Sequence, residues 1–100
     1  MGGYMQPQGH MQVVVNTLDY AMNPQEALDA PRFQWTGGKH IQLEYECGQK
    51  IAQELKDRGH EVEILADRGS MGRGEIIWKT QHGTLVGGTE SRCDGQIAVY

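Results

Sequence analysis

The residues best placed to do chemistry stand at the start of this 100-residue chain. Gly2 and Gly3 lie directly ahead of a strong helical pattern. Two residues without side chains leave the backbone N–H groups at a helix start unshielded, and the helix dipole adds positive potential there. Such a corner can hold an anion, or the oxyanion of a tetrahedral intermediate. Composition alone also allows a plain Gly-Gly turn. His10 could serve as an acid–base group, although a histidine beside Gly9 on a helix also reads as a packed or solvent-facing residue. His40, His60 and His82 fall at strand starts or turns. Neither they nor Cys47 and Cys93 show metal-ligand spacing, and no metal site is expected.

Two further loops are candidates. Gly69-Ser70-Met71-Gly72-Arg73-Gly74 is glycine-rich but lacks the G-K-[ST] ending of a phosphate loop. It also precedes a strand rather than a helix, so it reads as a structural turn. Gly87-Gly88-Thr89-Glu90-Ser91-Arg92-Cys93-Asp94-Gly95 is either a polar binding loop or a turn between strands, with Arg92 pairing a nearby carboxylate. Glu44, Glu46, Glu61 and Glu63 are expected on the solvated faces of their strands. No isolated carboxylate pair is poised for acid–base work.

The elements that must position these residues follow from periodicity. Met11, Val14, Val15, Leu18 and Met22 keep the spacing of one helix face, which predicts a helix from about Pro7 to Ala21 with that face buried. Pro7 suits its first turn. Asn23-Pro24-Gln25-Glu26 is a capping signal for a short second helix that stops before Pro31. Arg32 to Trp35 is extended, and Gly37-Gly38 turns the chain. His40 to Tyr45 and His60 to Leu65 alternate as strands around a helix from Cys47 to Arg58 that Gly59 ends. Glu75 to Lys79, Thr84 to Val86 and Gln96 to Tyr100 read as short strands, with hairpin turns at His82-Gly83 and Asp94-Gly95. The class is α+β, one domain over residues 1–100, with helices on one face of a largely antiparallel sheet. Ile76-Ile77-Trp78 is apolar on both alternating faces, which points to a further layer or a partner chain.

The bulk numbers agree with a small domain. The formal charge of −4 argues against a nucleic-acid footprint, and no apolar run is long enough to span a membrane. Two cysteines are too few for a disulfide framework. They read as free thiols, with a single bridge left open. The compartment, cytoplasmic or periplasmic and secreted, is also open.

The combination Met1-Gly2-Gly3, then Gln6-Pro7-Gln8-Gly9-His10, then Asn23-Pro24-Gln25-Glu26-Ala27-Leu28-Asp29-Ala30-Pro31-Arg32-Phe33 resembles the gamma-glutamyltransferase family. Gly72-Arg73-Gly74-Glu75-Ile76-Ile77-Trp78 and Gly87 to Gly95 resemble that family's last strands and closing turn. The resemblance covers essentially the whole chain. It implies the αββα sandwich of the N-terminal-nucleophile hydrolases, no cofactor, and a gamma-glutamyl substrate such as glutathione. It implies that Gly2 and Gly3 form the oxyanion hole through their backbone N–H groups. The nucleophile implied is a threonine exposed by self-cleavage at the start of a small subunit, with its own α-amino group as base; the resemblance places it upstream of these residues. Met1 stands where the glutathione-cleaving branch has Ser-Pro, so related acylases share the scaffold as an alternative. The chain is therefore expected to be the C-terminal part of such an enzyme. Its expected partners are the large subunit and the start of the small subunit, and by itself it is expected to be inactive and to form a homodimer. A stand-alone, non-catalytic association module is the alternative from a different class.

Overall fold

In the computed structural model, which describes residues 1–100, the chain forms two short 3₁₀ turns, Gly3–Met5 and Tyr45–Cys47, and eight helices and strands. These are α1 (Gln6–Leu18), α2 (Pro24–Asp29), β1 (Phe33–Gly37), β2 (His40–Glu44), α3 (Gln49–Asp57), β3 (Glu61–Leu65), β4 (Ile76–Lys79) and β5 (Leu85–Gly88). They belong to two compact units, one made of residues 1–30 and 72–100, the other of residues 31–71.

In the first unit the local signals act as the sequence predicts. The side chain of Asn23 accepts the Glu26 N–H at 2.9 Å, and the Glu26 carboxylate accepts the Asn23 N–H at 2.9 Å. This capping box satisfies donors that a helix start otherwise leaves open, and Pro24 occupies the first turn. α2 thereby turns Ala27 and Leu28 inward, where both are buried with Pro24 and Met5. It packs against α1 and against the antiparallel hairpin of β4 and β5. The hairpin turns through Thr80 to Thr84, with Thr80 N–H donating to the Thr84 carbonyl at 2.9 Å. Gly88 makes the close approach possible: a Cβ there would stand 2.7 Å from the Pro24 carbonyl carbon.

The second unit is a three-stranded sheet in the order β1-β2-β3. β1 and β2 are antiparallel, joined at Gly37-Gly38, and β2 and β3 are parallel, joined through α3. A parallel neighbour requires such a crossover, and α3 packs on β3. Leu43, Ala52 and Met71 are buried.

The class is α+β as expected, and two of the three strand pairings are antiparallel. Several finer expectations change. The strands form two sheets rather than one. Gln96 to Tyr100 is not a strand and Asp94-Gly95 is not a hairpin turn. β5 pairs with β4 alone, its other edge is not taken up by this segment, and Val99 is 88% exposed. On α1 the apolar positions Met11, Val14 and Leu18 are exposed while Gln12 is buried. Helical spacing shows which residues share a face, not what covers that face. Glu44, expected in solvent, is 0% exposed. Its carboxylate accepts the Arg32 N–H at 2.9 Å and lies 3.5 Å from Arg68 Nε. A buried carboxylate is tolerable only with such partners.

Candidate functional site

The 3₁₀ turn that opens α1 sets the backbone of the glycine pair. Met5 N–H donates to the Gly2 carbonyl at 2.8 Å, and Gln6 N–H donates to the Gly3 carbonyl. The N–H groups of Gly3 and Tyr4 therefore come ahead of the first helical hydrogen bond, where a helix has no partner of its own to offer them. Gly3 has a φ of 52°, the left-handed region that favours glycine, and a Cβ there would meet nothing within 4 Å. Space beside Gly3 is thus open. Gly2 is different: a Cβ there would lie 3.1 Å from Gly72 Cα, so the corner is backed by another stretch of backbone. Arg73 fastens that stretch. Its N–H donates to the Met1 carbonyl at 2.6 Å, and the Met1 amino group donates to the Arg73 carbonyl at 2.6 Å. Tyr4 stands beside the glycines with its side chain exposed, while Met5 plugs the turn into the core.

The other sequence candidates are not gathered here. His10 is exposed on α1, roughly two helical turns beyond Gly3. His40 belongs to the second unit, where its Nδ1 is 2.6 Å from Thr36 Oγ1 and its Nε2 is 3.8 Å from Glu63. Cys47 and Cys93 are both free thiols. No group of three or more histidine, cysteine, aspartate or glutamate side chains is arranged to hold a metal ion. No helix is long and apolar enough to cross a membrane.

Sequence reasoning anticipated that Arg92 would pair with a carboxylate, and the structure identifies it as Glu90. Both side chains are 0% exposed, with Arg92 Nη1 2.8 Å from Glu90 Oε1. Arg92 also donates to the carbonyls of Leu28 at 2.7 Å and Ala30 at 3.0 Å, at the C-terminal end of α2. The second carboxylate oxygen of Glu90 accepts the Gly74 N–H at 3.1 Å. Beside this pair, the Gln25 amide mimics a strand: it accepts the Thr89 N–H at 3.1 Å and donates to the Thr89 carbonyl at 2.9 Å. Residues 87–95 are therefore a structural clasp on α2. The available signal was the acid and base two residues apart between glycines, but nothing local shows that they are buried.

The model of the gamma-glutamyltranspeptidase family matches residues 1–100. The glutathione hydrolase-like YwrD proenzyme of Bacillus subtilis is 38% identical over 94% of this chain and 19% of its own length. An acylase ACY 1 proenzyme of Pseudomonas sp. is 39% identical over 85% of the chain and 15% of its own length. Among solved structures, a cephalosporin acylase from Bacillus halodurans matches the whole chain at 56% identity with a TM-score of 0.96, over 19% of its length. A gamma-glutamyltranspeptidase from Pseudomonas nitroreducens, 23% identical over 93% of the chain and 49% of its own, shares the fold with a TM-score of 0.79. The chain thus spans about a fifth or less of the curated relatives it matches. A family model that matches every residue places the chain in the gamma-glutamyltranspeptidase family.

Proposed function

We propose that this chain is the oxyanion-stabilising part of a larger amide-cleaving enzyme that transfers or hydrolyses gamma-glutamyl groups. The observation that carries the reading is the glycine pair: leading N–H groups, open space beside Gly3 and a fixed backbone behind Gly2. In this reading a threonine Oγ contributed by the rest of the enzyme attacks the amide carbonyl and loses its proton to its own α-amino group. The carbonyl oxygen gains the negative charge, and N–H groups at the Gly2-Gly3 corner hold it. The C–N bond then breaks as the departing amine takes the proton, and water or an acceptor amine releases the acyl group from the threonine.

A second reading shares every one of these steps and differs only in the acyl group. The match to a cephalosporin acylase at 56% identity favours an acylase that acts on a different acyl group. Met1 in the position where the glutathione-cleaving branch carries Ser-Pro points the same way. Two chromogenic anilides separate the readings, one gamma-glutamyl and one glutaryl, which lacks the α-amino group. Faster turnover of the gamma-glutamyl anilide by the complete polypeptide supports the first reading; preference for the glutaryl anilide supports the second. Cleavage of neither overturns both.

The 100 residues by themselves are expected to show no turnover of the gamma-glutamyl anilide. Thr17, Thr36, Thr80, Thr84 and Thr89 are all internal, so none carries a free α-amino group to act as its base. Turnover that persists through purification and is abolished by a point change in this chain would contradict the proposal.

Partners follow from the exposed apolar surface. In the first unit Ile77 and Leu85 of the hairpin, and Met11, Val14 and Leu18 of α1, are all exposed. Contiguous apolar surface of more than a few hundred Å² marks association, as roughly established for monomeric proteins. In the complete enzyme the remaining chain is the proposed cover. In its absence the 100 residues are expected to pair as a homodimer, which would cover the same surface in two copies. Light scattering over a dilution series checks this, and a monodisperse monomer at high micromolar concentration that binds no apolar dye would rule it out.

A further inference from the structure

The glycine corner does not hold itself. Its backing is the segment Gly72-Arg73, whose backbone lies against Gly2 and donates the Arg73 N–H to the Met1 carbonyl. Immediately after that segment, Gly74 N–H donates to the buried carboxylate of Glu90 at 3.1 Å. Glu90 in turn is fixed from three sides. Arg92 Nη1 is 2.8 Å from its Oε1, the Arg92 backbone N–H donates to the same oxygen at 3.2 Å, and its own N–H donates to Glu75 Oε1 at 3.4 Å. Arg92 is itself tied to the end of α2 through the Leu28 and Ala30 carbonyls.

We propose that Glu90 is a positioning residue for catalysis: its carboxylate, set by Arg92, anchors Gly74 and thereby holds the Gly72-Arg73 backbone that fixes Met1-Gly2 at the oxyanion corner. The inference rests on the proposed role of Gly2 and Gly3. Its physical basis is that one carboxylate spans two structural tasks with its two oxygens. Oε1 takes the guanidinium and Oε2 takes a backbone N–H at the edge of the site. Steric backing sharpens the coupling, since a Cβ on Gly2 would already stand 3.1 Å from Gly72 Cα. A small drift of residues 72–74 therefore displaces the corner, and misplacements of about 1 Å can cost on the order of 10²-fold in rate. Glu90 touches no substrate in this scheme; it acts through Gly74.

The simple variant Glu90→Ala leaves Arg92 buried without its carboxylate and is a poor test because it can fail to fold. A pair of double variants, Glu90→Leu/Arg92→Met and Glu90→Gln/Arg92→Met, removes both charges in each case. They differ in one respect: the glutamine restores an acceptor oxygen for Gly74 N–H. In the complete polypeptide, with the anilide it cleaves faster as substrate, the leucine variant is expected to lose about tenfold or more in kcat with KM changed less than about threefold. The glutamine variant is expected to recover most of that loss. Circular dichroism melts establish that both are folded at the assay temperature. Equal kcat in the two variants, whether high or low, overturns the positioning role. Gly3→Ala in the same assay keeps the two proposals apart. If it lowers kcat while the double variants match each other, only the Glu90 inference fails. If it leaves kcat unchanged, the oxyanion reading itself fails.

Discussion

Gly3→Ala in the complete enzyme is expected to lower kcat by about 10²–10³, the usual cost of losing one oxyanion donor. The effect comes from the backbone and not from packing. Gly3 sits at φ 52°, and a Cβ there would meet nothing within 4 Å, so no neighbour opposes the methyl group. What the alanine does not accept is the left-handed conformation, which costs an L-residue about 1–2 kcal/mol. Relief of that strain turns the Gly2-Gly3 backbone away from the geometry in which its N–H groups precede the first helical bond. The oxyanion exists only once the carbonyl has been attacked, so substrate binding should change far less than turnover. Steady-state kinetics on the anilide substrate read both quantities. A folded Gly3→Ala enzyme with unchanged kcat would remove the glycine pair from the mechanism. Gly2 fails by another route, because its missing Cβ makes room for Gly72 backbone at 3.1 Å.

The parts of this site that local chemistry dictates were legible in the sequence. Asn23, Pro24 and Glu26 announce the start of α2 through side chains that reach only three residues, and the structure shows both hydrogen bonds of the box. The glycine pair ahead of α1 is legible for the same reason, since a helix start needs no distant partner. What supports the corner was not legible. Arg73 reaches Met1 across a separation of 72 residues, and Gln25 reaches Thr89 across 64. Periodicity carries no information about such pairings. Glu44 shows how it misleads: alternation assigns it to the polar face with His40 and Gln42, yet Arg32 and Arg68 make burial tolerable at the strand end. The same limit explains α1. Met11, Val14 and Leu18 form an apolar stripe that these 100 residues leave exposed, consistent with relatives several times longer than the chain.

Arg92→Ala is expected to destabilise the first unit by about 3–5 kcal/mol, the range found when one partner of a buried ion pair is removed. Against a typical domain stability of roughly 5–15 kcal/mol this is a large fraction of the whole. Two losses combine. Glu90, 1% exposed, keeps a charge that its remaining N–H donors offset only in part. The carbonyls of Leu28 and Ala30 lose the guanidinium that closes the end of α2. Removing both charges with apolar residues of similar volume should cost much less, because the desolvation of an ion pair roughly cancels its Coulomb attraction. Glu90→Leu/Arg92→Met is therefore expected to be the more stable of the two, despite carrying one more substitution. Hydrogen exchange of the backbone amides in α2, β4 and β5 measures the difference where it arises, since protection follows local stability. Protection in Arg92→Ala within about 0.5 kcal/mol of the parent, the size of an ordinary surface substitution, would mean that the clasp on α2 is held by Gln25 and Thr89 and not by the ion pair.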